Sequence, residues 1–137
     1  MSTLDPAAAP PQINGDGSWL FAGRIVRWID GDTVVVDCLI DLGFSEMATR
    51  RRTIRLLGVN TAEKNDKDPA KRARAAAATE YVNELAPVGA VVDVFVVGYD
   101  KYGGRDDGRI ALADVGFDVS TLLIDKGLGD PYFGGAR

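Results

Sequence analysis

The feature that most limits the possible folds is the order of short strand-like runs around one long Ala-rich segment. Runs rich in β-branched and aromatic residues cover 18–29, 33–42 and 51–59 before that segment, and 90–97 and 110–115 after it. Gly, Asp or Pro lies close to most ends of these runs, which is typical of turns between strands. Five short strands with a helix inserted after the third predict a mainly-β (α+β) chain that forms a small closed or nearly closed barrel.

The helix between the third and fourth strands has start and stop signals in the sequence. Asp68 is a suitable N-cap, and Pro69 suits the first helical position, which needs no N–H. The Ala-rich run continues to about Ala86, just before a Pro-Val-Gly sequence. A short C-terminal helix is predicted to begin after Asp118 and to end at Gly127. We expect the first helix to pack through residues at three- and four-residue spacing: Ala73, Ala76, Ala77, Glu80, Tyr81, Glu84 and Leu85.

Length and composition indicate one domain. The 137 residues, 46% of them hydrophobic, are enough for one ordinary core. Residues 1–17 are rich in Pro and Ala and have neither Lys nor Arg nor an apolar run, so we expect a disordered N-terminal segment rather than a signal peptide, with the domain covering 18–137. We expect residues 43–49 to form a loop and 129–137 a Gly-rich tail. We also expect a cytoplasmic monomer without a membrane span, with secretion by another route left open.

The absence of histidine excludes whole classes of mechanism. With no His in the chain, Ser-His-Asp and Cys-His triads are impossible, so any hydrolysis must use carboxylates, Lys, Tyr, Arg or a metal ion. Cys38 is the only cysteine and lies in an apolar run, which favours a buried structural thiol over a nucleophile.

Charge is distributed unevenly along the chain. The net charge is −4, yet residues 50–74 carry nine basic and three acidic side chains, a local charge of +6. Such a basic segment can attract phosphate groups, although a solvated surface has the same composition.

Three segments contain residues suited to chemistry. Asp30, Asp32 and Asn60 offer short oxygen donors at strand ends, as a hard cation such as calcium requires, although Asp-Gly is also an ordinary turn pair. Arg55 lies within a strand, and Glu63 follows eight residues later. This pair can supply a phosphate-binding cation and a proton acceptor, or it can form a plain salt bridge.

The third segment, residues 100–109, joins the fourth and fifth strands. Its Gly and Asp residues predict a mobile loop. Lys101, Tyr102, Arg105 and Arg109 give it cations and one aromatic face, which suits a phosphodiester with a stacked base. A polar hairpin loop is the alternative interpretation.

Together these segments resemble the staphylococcal-nuclease (thermonuclease) family. The resemblance covers about residues 23–128 and rests on I-D-G-D-T, R-L-L-G-V-N-T-x-E, D-K-Y-G-x-R and a closing L-L-I-D-K-G-L, in this order. It implies a five-stranded OB-fold barrel with helices. It further implies a calcium-dependent nuclease, in which water attacks phosphorus in line and the 5′ oxygen leaves, giving 3′-phosphate products from DNA or RNA.

The resemblance also implies roles for individual residues. Asp32 matches the calcium carboxylate, Asn60 lies where a second ligand, usually Asp, is found, and Thr61 would offer its carbonyl. The residues that match the chemical and substrate-binding groups are Arg55 and Glu63, Arg105 with Arg109 as the alternative second arginine, and Lys101 and Tyr102 against the nucleotide.

Two points keep alternatives open. Asn60 removes one negative ligand, so we expect weak calcium binding, roughly 10⁻⁴–10⁻³ M. A non-catalytic OB-fold module that binds nucleic acid or protein is the alternative function, and a metal-binding structural domain without nucleic acid is a third.

Overall fold

The computed structural model describes residues 12–13, 19–99, 105–113 and 116–132 of the chain. Within them the backbone forms eight strands and two helices. In chain order these elements are β1 (Gln12–Ile13), β2 (Trp19–Asp30), β3 (Thr33–Gly43), β4 (Glu46–Leu56), β5 (Gly58–Asn60), α1 (Pro69–Leu85), β6 (Val91–Tyr99), β7 (Asp106–Leu112), α2 (Val119–Asp125) and β8 (Asp130–Tyr132). The predicted mainly-β chain, with a helix after the third long strand and a short helix near the C-terminus, is confirmed.

Five strands are hydrogen-bonded in a complete circuit, which we call the strand ring (β2, β3, β4, β7 and β6). β2 pairs with β3, β3 with β4, β7 with β6 and β6 with β2, all antiparallel. β4 and β7 pair in parallel. This parallel pair is possible because α1 and β6 separate the two strands in the chain and supply the long connection that such a pair needs.

The apolar core combines side chains from the strand ring, β5 and both helices. Its largest fully buried members are Ile25, Ile54, Leu56, Ile110, Leu123, Val34, Val36, Val59, Val82, Val92, Val94 and Val119. Most are β-branched, in keeping with their positions on pleated strands. Cys38 belongs to the same core, and burial raises the pKa of its thiol to about 12. The prediction of a buried thiol is confirmed.

Helix α1 begins and ends close to the predicted positions but buries a different face. The Asp68 side chain accepts a hydrogen bond from the Ala70 N–H at 3.0 Å, and Pro69 takes the first position. The buried residues are Ala75, Ala78 and Val82. The predicted face was wrong, because Ala on every side of the helix gives little hydrophobic contrast. Five of its seven members are exposed: Ala73, Ala76, Ala77, Glu80 and Glu84.

The predicted loop over residues 43–49 is also wrong. β3 and β4 are joined by a two-residue turn, Phe44-Ser45, and β4 begins at Glu46. Both turn residues have positive φ, 55° and 63°, the conformation of a two-residue hairpin turn of the primed type. Phe-Ser lacks the Asn-Gly signature of such turns, which is why the sequence did not indicate one.

Other strand boundaries differ from the predictions near the site. β4 ends at Leu56, and residues 58–60 form the separate strand β5, which pairs with β8 in the predicted Gly-rich tail. β7 begins at Asp106, four residues earlier than predicted, so the loop between β6 and β7 is shorter.

The predicted disordered segment, residues 1–17, lies outside the described residues except for β1. There Gln12 and Ile13 pair antiparallel with Leu20 and Trp19. The disorder of the segment stays a prediction. Neither helix of the described residues has the length and hydrophobicity needed to span a membrane.

Candidate active site

Several predicted site residues meet at one end of the strand ring. The turn over residues 30–32 joins β2 to β3, Arg55 is near the end of β4, and Asn60 is the last residue of β5. The ladder between β3 and β4 pairs Arg55 with Thr33, directly after the turn. Strand register therefore places Arg55 beside the turn.

Asp32 is a buried carboxylate, 6% exposed, that joins the turn to the chain after β5. Its Oδ2 accepts a hydrogen bond from the Thr61 N–H at 3.1 Å and lies 3.4 Å from Arg55 Nη2. Its Oδ1 accepts a bond from the Thr33 hydroxyl at 3.2 Å. These contacts compensate for the cost of burying a charged group.

The Arg55 guanidinium is held on two sides. Nη1 donates to the carbonyls of Leu56 and Val59, at 2.5 Å and 3.0 Å, and Nη2 donates to Asn60 Oδ1 and lies beside Asp32. The backbone from the end of β4 into β5 thus surrounds the Arg55 guanidinium. The carboxylate and the amide share one guanidinium nitrogen as neighbour, so Asp32 and Asn60 lie close together.

Asp30 and Asp32 have opposite pKa shifts. Burial, followed by the neighbouring Asp32, raises the pKa of Asp30 from 3.8 to about 6. Burial also opposes ionisation of Asp32. Hydrogen bonds from Asp30 and from the Thr61 N–H, together with the charge of Arg55, outweigh it and lower the pKa of Asp32. Near neutral pH the site therefore contains an ionised Asp32 beside a carboxyl that takes up a proton more readily than usual.

Helix α1 packs against the turn over residues 30–32. A Cβ atom on Gly31 would come 2.8 Å from the Ala78 Cβ and 2.9 Å from the Thr61 Cγ2, closer than real contacts allow. Gly31 therefore lets the turn approach both α1 and the segment that follows β5. The same small residue that makes the turn also packs the site against the helix.

The donor chemistry of the site fits a hard cation. Asp32 supplies an ionised carboxylate, Asn60 an amide oxygen and Thr61 a backbone carbonyl, all of the oxygen type that calcium prefers. Asp32 and Asn60 are both bonded to Arg55, so a cation would have to use their remaining lone pairs or displace the guanidinium. Three protein oxygens fall short of the 6–8 that calcium takes, so water or substrate would complete the shell. Among the described residues, no group of three or more His, Cys, Asp or Glu could hold a metal ion.

Glu63, the predicted proton acceptor, follows β5 by three residues. It is exposed in the loop between β5 and α1, and its backbone carbonyl accepts a hydrogen bond from the Asp66 N–H at 3.2 Å. The ion pair found for Arg55 is with Asp32. The role of Glu63 and its pairing with Arg55 stay predictions.

Arg105 lies immediately before β7, close to the strand position that pairs with Arg55. It is exposed, as is Asp107, whereas the alternating Asp106 and Gly108 are buried. Asp107 is the register partner of Arg55 in the parallel pair, so Arg105 is two residues, about 7 Å, along the neighbouring strand.

Arg109, the alternative second arginine, makes structural contacts. Its Nη1 donates to Asp118 Oδ2 at 2.8 Å, which joins β7 to the start of α2. Its guanidinium also covers Gly58, where a Cβ would lie 3.4 Å from Nη2. These contacts favour Arg105 as the arginine available to a ligand.

Two predicted substrate-binding residues, Lys101 and Tyr102, lie outside the described residues. The sequence grouped Asp30 with the other turn oxygens but did not indicate that its pKa is raised beside Asp32. The Asp-x-Asp spacing was the available signal. It also did not indicate that Leu56 and Val59 would hold Arg55 through their carbonyls, because backbone groups carry no sequence signature.

The fold and the site define a mainly-β domain that holds an ionised carboxylate against a buried guanidinium at one end of its strand ring. Comparison with protein-family models and with curated protein sequences finds no match to this chain. The family resemblance therefore rests on the sequence motifs.

Proposed function

We propose that this chain is a calcium-dependent nuclease of the staphylococcal-nuclease type, and that its strand ring is an OB-fold barrel. The observation that best supports this proposal is the position of the Arg55 side chain. Arg55 is 5% exposed, and its guanidinium lies against the ionised Asp32 and the Asn60 oxygen. A buried arginine between potential cation ligands has little value as a surface charge, but it suits recognition of a phosphate. The order of the ring strands, with a helix before the fourth, supports the barrel.

In the proposed reaction, water attacks phosphorus in line with the 5′ oxygen. The bond from phosphorus to that oxygen breaks, the phosphate stays on the 3′ side, and the 5′ oxygen gains a proton from solvent. Glu63 accepts the proton of the attacking water, and its exposure leaves it free to approach a bound substrate. Arg55 and Arg105 stabilise the charge on the phosphoryl oxygens.

Calcium, held by Asp32, Asn60 and the Thr61 carbonyl, would add positive charge where the phosphoryl oxygens develop negative charge. An incoming phosphate is expected to compete with Asn60 for Arg55, because Arg55 already donates to the Asn60 side chain. Nucleic acid binding should therefore loosen the contact between Arg55 and Asn60 and make that oxygen available to the cation.

The test is cleavage of single- and double-stranded DNA and RNA, with calcium or with a chelator. We expect wild-type cleavage only with calcium, and a loss of about 10²–10³-fold in kcat for Glu63→Ala, Arg55→Lys and Arg105→Ala. Arg109→Gln is the matched control, since Arg109 is bonded to Asp118, and it should keep near-normal kcat.

Two outcomes would contradict the proposal. Cleavage that persists equally in chelator and in Glu63→Ala would exclude the nuclease mechanism. Normal kcat in Arg105→Ala, combined with a large loss in Arg109→Gln, would transfer the second arginine's role to Arg109.

The second candidate function is a non-catalytic OB-fold module that binds nucleic acid or protein. It is favoured by one observation: the Arg55 guanidinium already donates to acceptors within the protein, on Leu56, Val59 and Asn60. Binding of an oligonucleotide without cleavage under any metal condition would support it.

A further inference from the structure

A strip of three lysines follows the candidate site along the chain. Lys64 and Lys67 are exposed in the loop between β5 and α1, and Lys71 is exposed in the first turns of α1. We call these residues the lysine strip. Residues 64–74 contain five basic and two acidic side chains, whereas the whole chain has a net charge of −4. The strip is therefore a local concentration of positive charge on an acidic protein.

The acidic side chains of this segment accept hydrogen bonds from nearby backbone N–H groups. Asp66 Oδ1 accepts a hydrogen bond from the Asp68 N–H at 2.9 Å, and Asp68 Oδ1 accepts one from the Ala70 N–H at 3.0 Å. Arg72 donates from Nη1 to the carbonyls of Asp66 and Lys67, at 3.0 Å and 3.2 Å. These bonds define the shape of the loop and leave the lysine strip facing solvent.

The lysine strip lies close to the candidate site at both of its ends, Lys64 in the loop and Lys71 on α1. Lys64 is three residues beyond Thr61, whose N–H donates to Asp32, so it lies within about 10 Å along the chain. Lys71 precedes the buried Ala75 and Ala78 by four and seven positions. This spacing places Lys71 on the same side of α1 as these two residues. Ala78 contacts Gly31 in the site turn, so Lys71 lies about 10 Å from that contact along the helix axis.

We propose that the lysine strip binds the phosphate backbone of a single-stranded nucleic acid on one side of the phosphodiester held at Arg55. This inference rests on the proposed function for the position of the scissile phosphate. The strip needs only charge, so it binds without base specificity, as a groove that follows the backbone does. Because OB-type sites bind about 4–16 nucleotides, the strip should act on oligonucleotides and not on a dinucleotide.

The experiment compares Lys64→Gln/Lys67→Gln/Lys71→Gln with a control of the same charge change, Arg24→Gln/Arg50→Gln/Lys126→Gln. The control residues are exposed on β2, on β4 and after α2. Binding of a fluorescein-labelled oligothymidylate of about twelve nucleotides is measured by anisotropy in chelator, across a range of salt concentrations. Cleavage with calcium is measured on the same oligonucleotide and on a dinucleotide.

We expect the strip variant to bind at least about tenfold more weakly at low salt, with the slope of log K against log salt reduced by about 2. The control variant should show less than half of this change. The strip variant should also lose kcat/KM on the oligonucleotide while keeping it on the dinucleotide.

The outcomes distinguish a failure of the lysine-strip proposal from a failure of the nuclease proposal. If the wild type binds but never cleaves, and the strip variant binds more weakly than the control, the nuclease proposal fails and the strip stands. If the wild type cleaves and the strip variant binds like the control, the strip is wrong and the nuclease proposal stands. A wild type that does not bind the oligonucleotide at all overturns the strip as well.

Discussion

At the residue scale, Arg55 shows how this fold accommodates a buried cation. Its guanidinium donates to two backbone carbonyls and to Asn60 Oδ1 and pairs with the ionised Asp32, so its charge is compensated inside the protein. Breaking such an arrangement by removing one partner typically costs about 3–5 kcal/mol, since the other charge stays buried. Arg55→Lys is therefore a better probe of phosphate binding than Arg55→Ala, because it keeps the positive charge beside Asp32.

The Asn60→Asp substitution tests the proposed calcium site. A second carboxylate beside Asp32 adds negative charge to the ligand set, so we expect calcium affinity, measured by calorimetry without nucleic acid, to rise by about tenfold or more. Asn60→Ala should lower it. Calcium binding that is already sub-micromolar in the wild type, or that is unchanged in Asn60→Asp, would argue against these ligands.

The Asp30→Asn substitution tests the raised pKa of Asp30. Burial and Asp32 raise the pKa of Asp30 to about 6, so the protonated form favours folding. Its contribution is complete below the unfolded pKa, near 4, and is lost as pH rises through about 6. In chelator, we expect Asp30→Asn to be more stable than the wild type above about pH 6, with the difference shrinking on acidification.

Urea midpoints measured across this pH range check the result. Asp37→Asn is the control, because a hydrogen bond from Arg51 lowers the pKa of Asp37. Its contribution is present at high pH and lost on acidification, so the variant should differ from the wild type in the opposite direction. A pH-independent effect of Asp30→Asn would contradict the raised pKa.

At the scale of elements, the residues of the β3–β4 turn do not suit the backbone conformation that the turn adopts. Phe44 is fully exposed and adopts positive φ, as does Ser45, although such turns favour Asn and Gly. We expect Phe44→Asn/Ser45→Gly to stabilise the protein by about 1 kcal/mol, as measured by urea unfolding. Phe44→Ala removes the aromatic ring but keeps the strain, so it should change stability by less than about 0.5 kcal/mol. Equal effects of both variants would show that the turn geometry carries no strain.

Helix α1 illustrates which element properties are local. Its start follows from Asp68 and Pro69, whose capping chemistry operates within a few residues. Its buried face depends on which side meets the strand ring, and an Ala-rich helix offers that choice on every side. The contact between Ala78 and Gly31 is therefore a product of packing and could not be derived from periodicity.

At the scale of the whole molecule, Gly108 allows the strand ring to close. It pairs with Leu56 of β4 on one side and with Val96 of β6 on the other. An added Cβ would overlap the Phe95 carbonyl oxygen, whereas a Cβ on Gly98 of the same ladder would meet only the Asp107 side chain at 3.5 Å. Gly108 thus lies where two neighbouring strands leave no room for a side chain.

We expect Gly108→Ala to cost about 3 kcal/mol or more, and Gly98→Ala about 1 kcal/mol or less. Thermal and urea unfolding of both variants provide the measurement. Similar stability of the two would mean that the ring tolerates separation of β6 and β7 at this position.

The site was only partly predictable from sequence. The motif order led us to expect Asp32, Arg55, Asn60 and Thr61 together, and the strand register brings them together. Their roles, the calcium ion, the cytoplasmic location and the monomeric state stay predictions. The carbonyls of Leu56 and Val59 that hold Arg55 could not be predicted, because backbone groups carry no sequence signature.

The sequence by itself determined the order of the five ring strands and the two helices, the start of α1 and the exclusion of histidine chemistry, because these depend on composition and on neighbours within a few residues. Tertiary structure alone decided that β4 and β7 pair in parallel, which face of α1 is buried and that Asp118 engages Arg109. It also decided that Arg55 lies between Asp32 and Asn60. These features depend on register and packing between distant segments, where many local patterns are compatible and only the folded chain selects one.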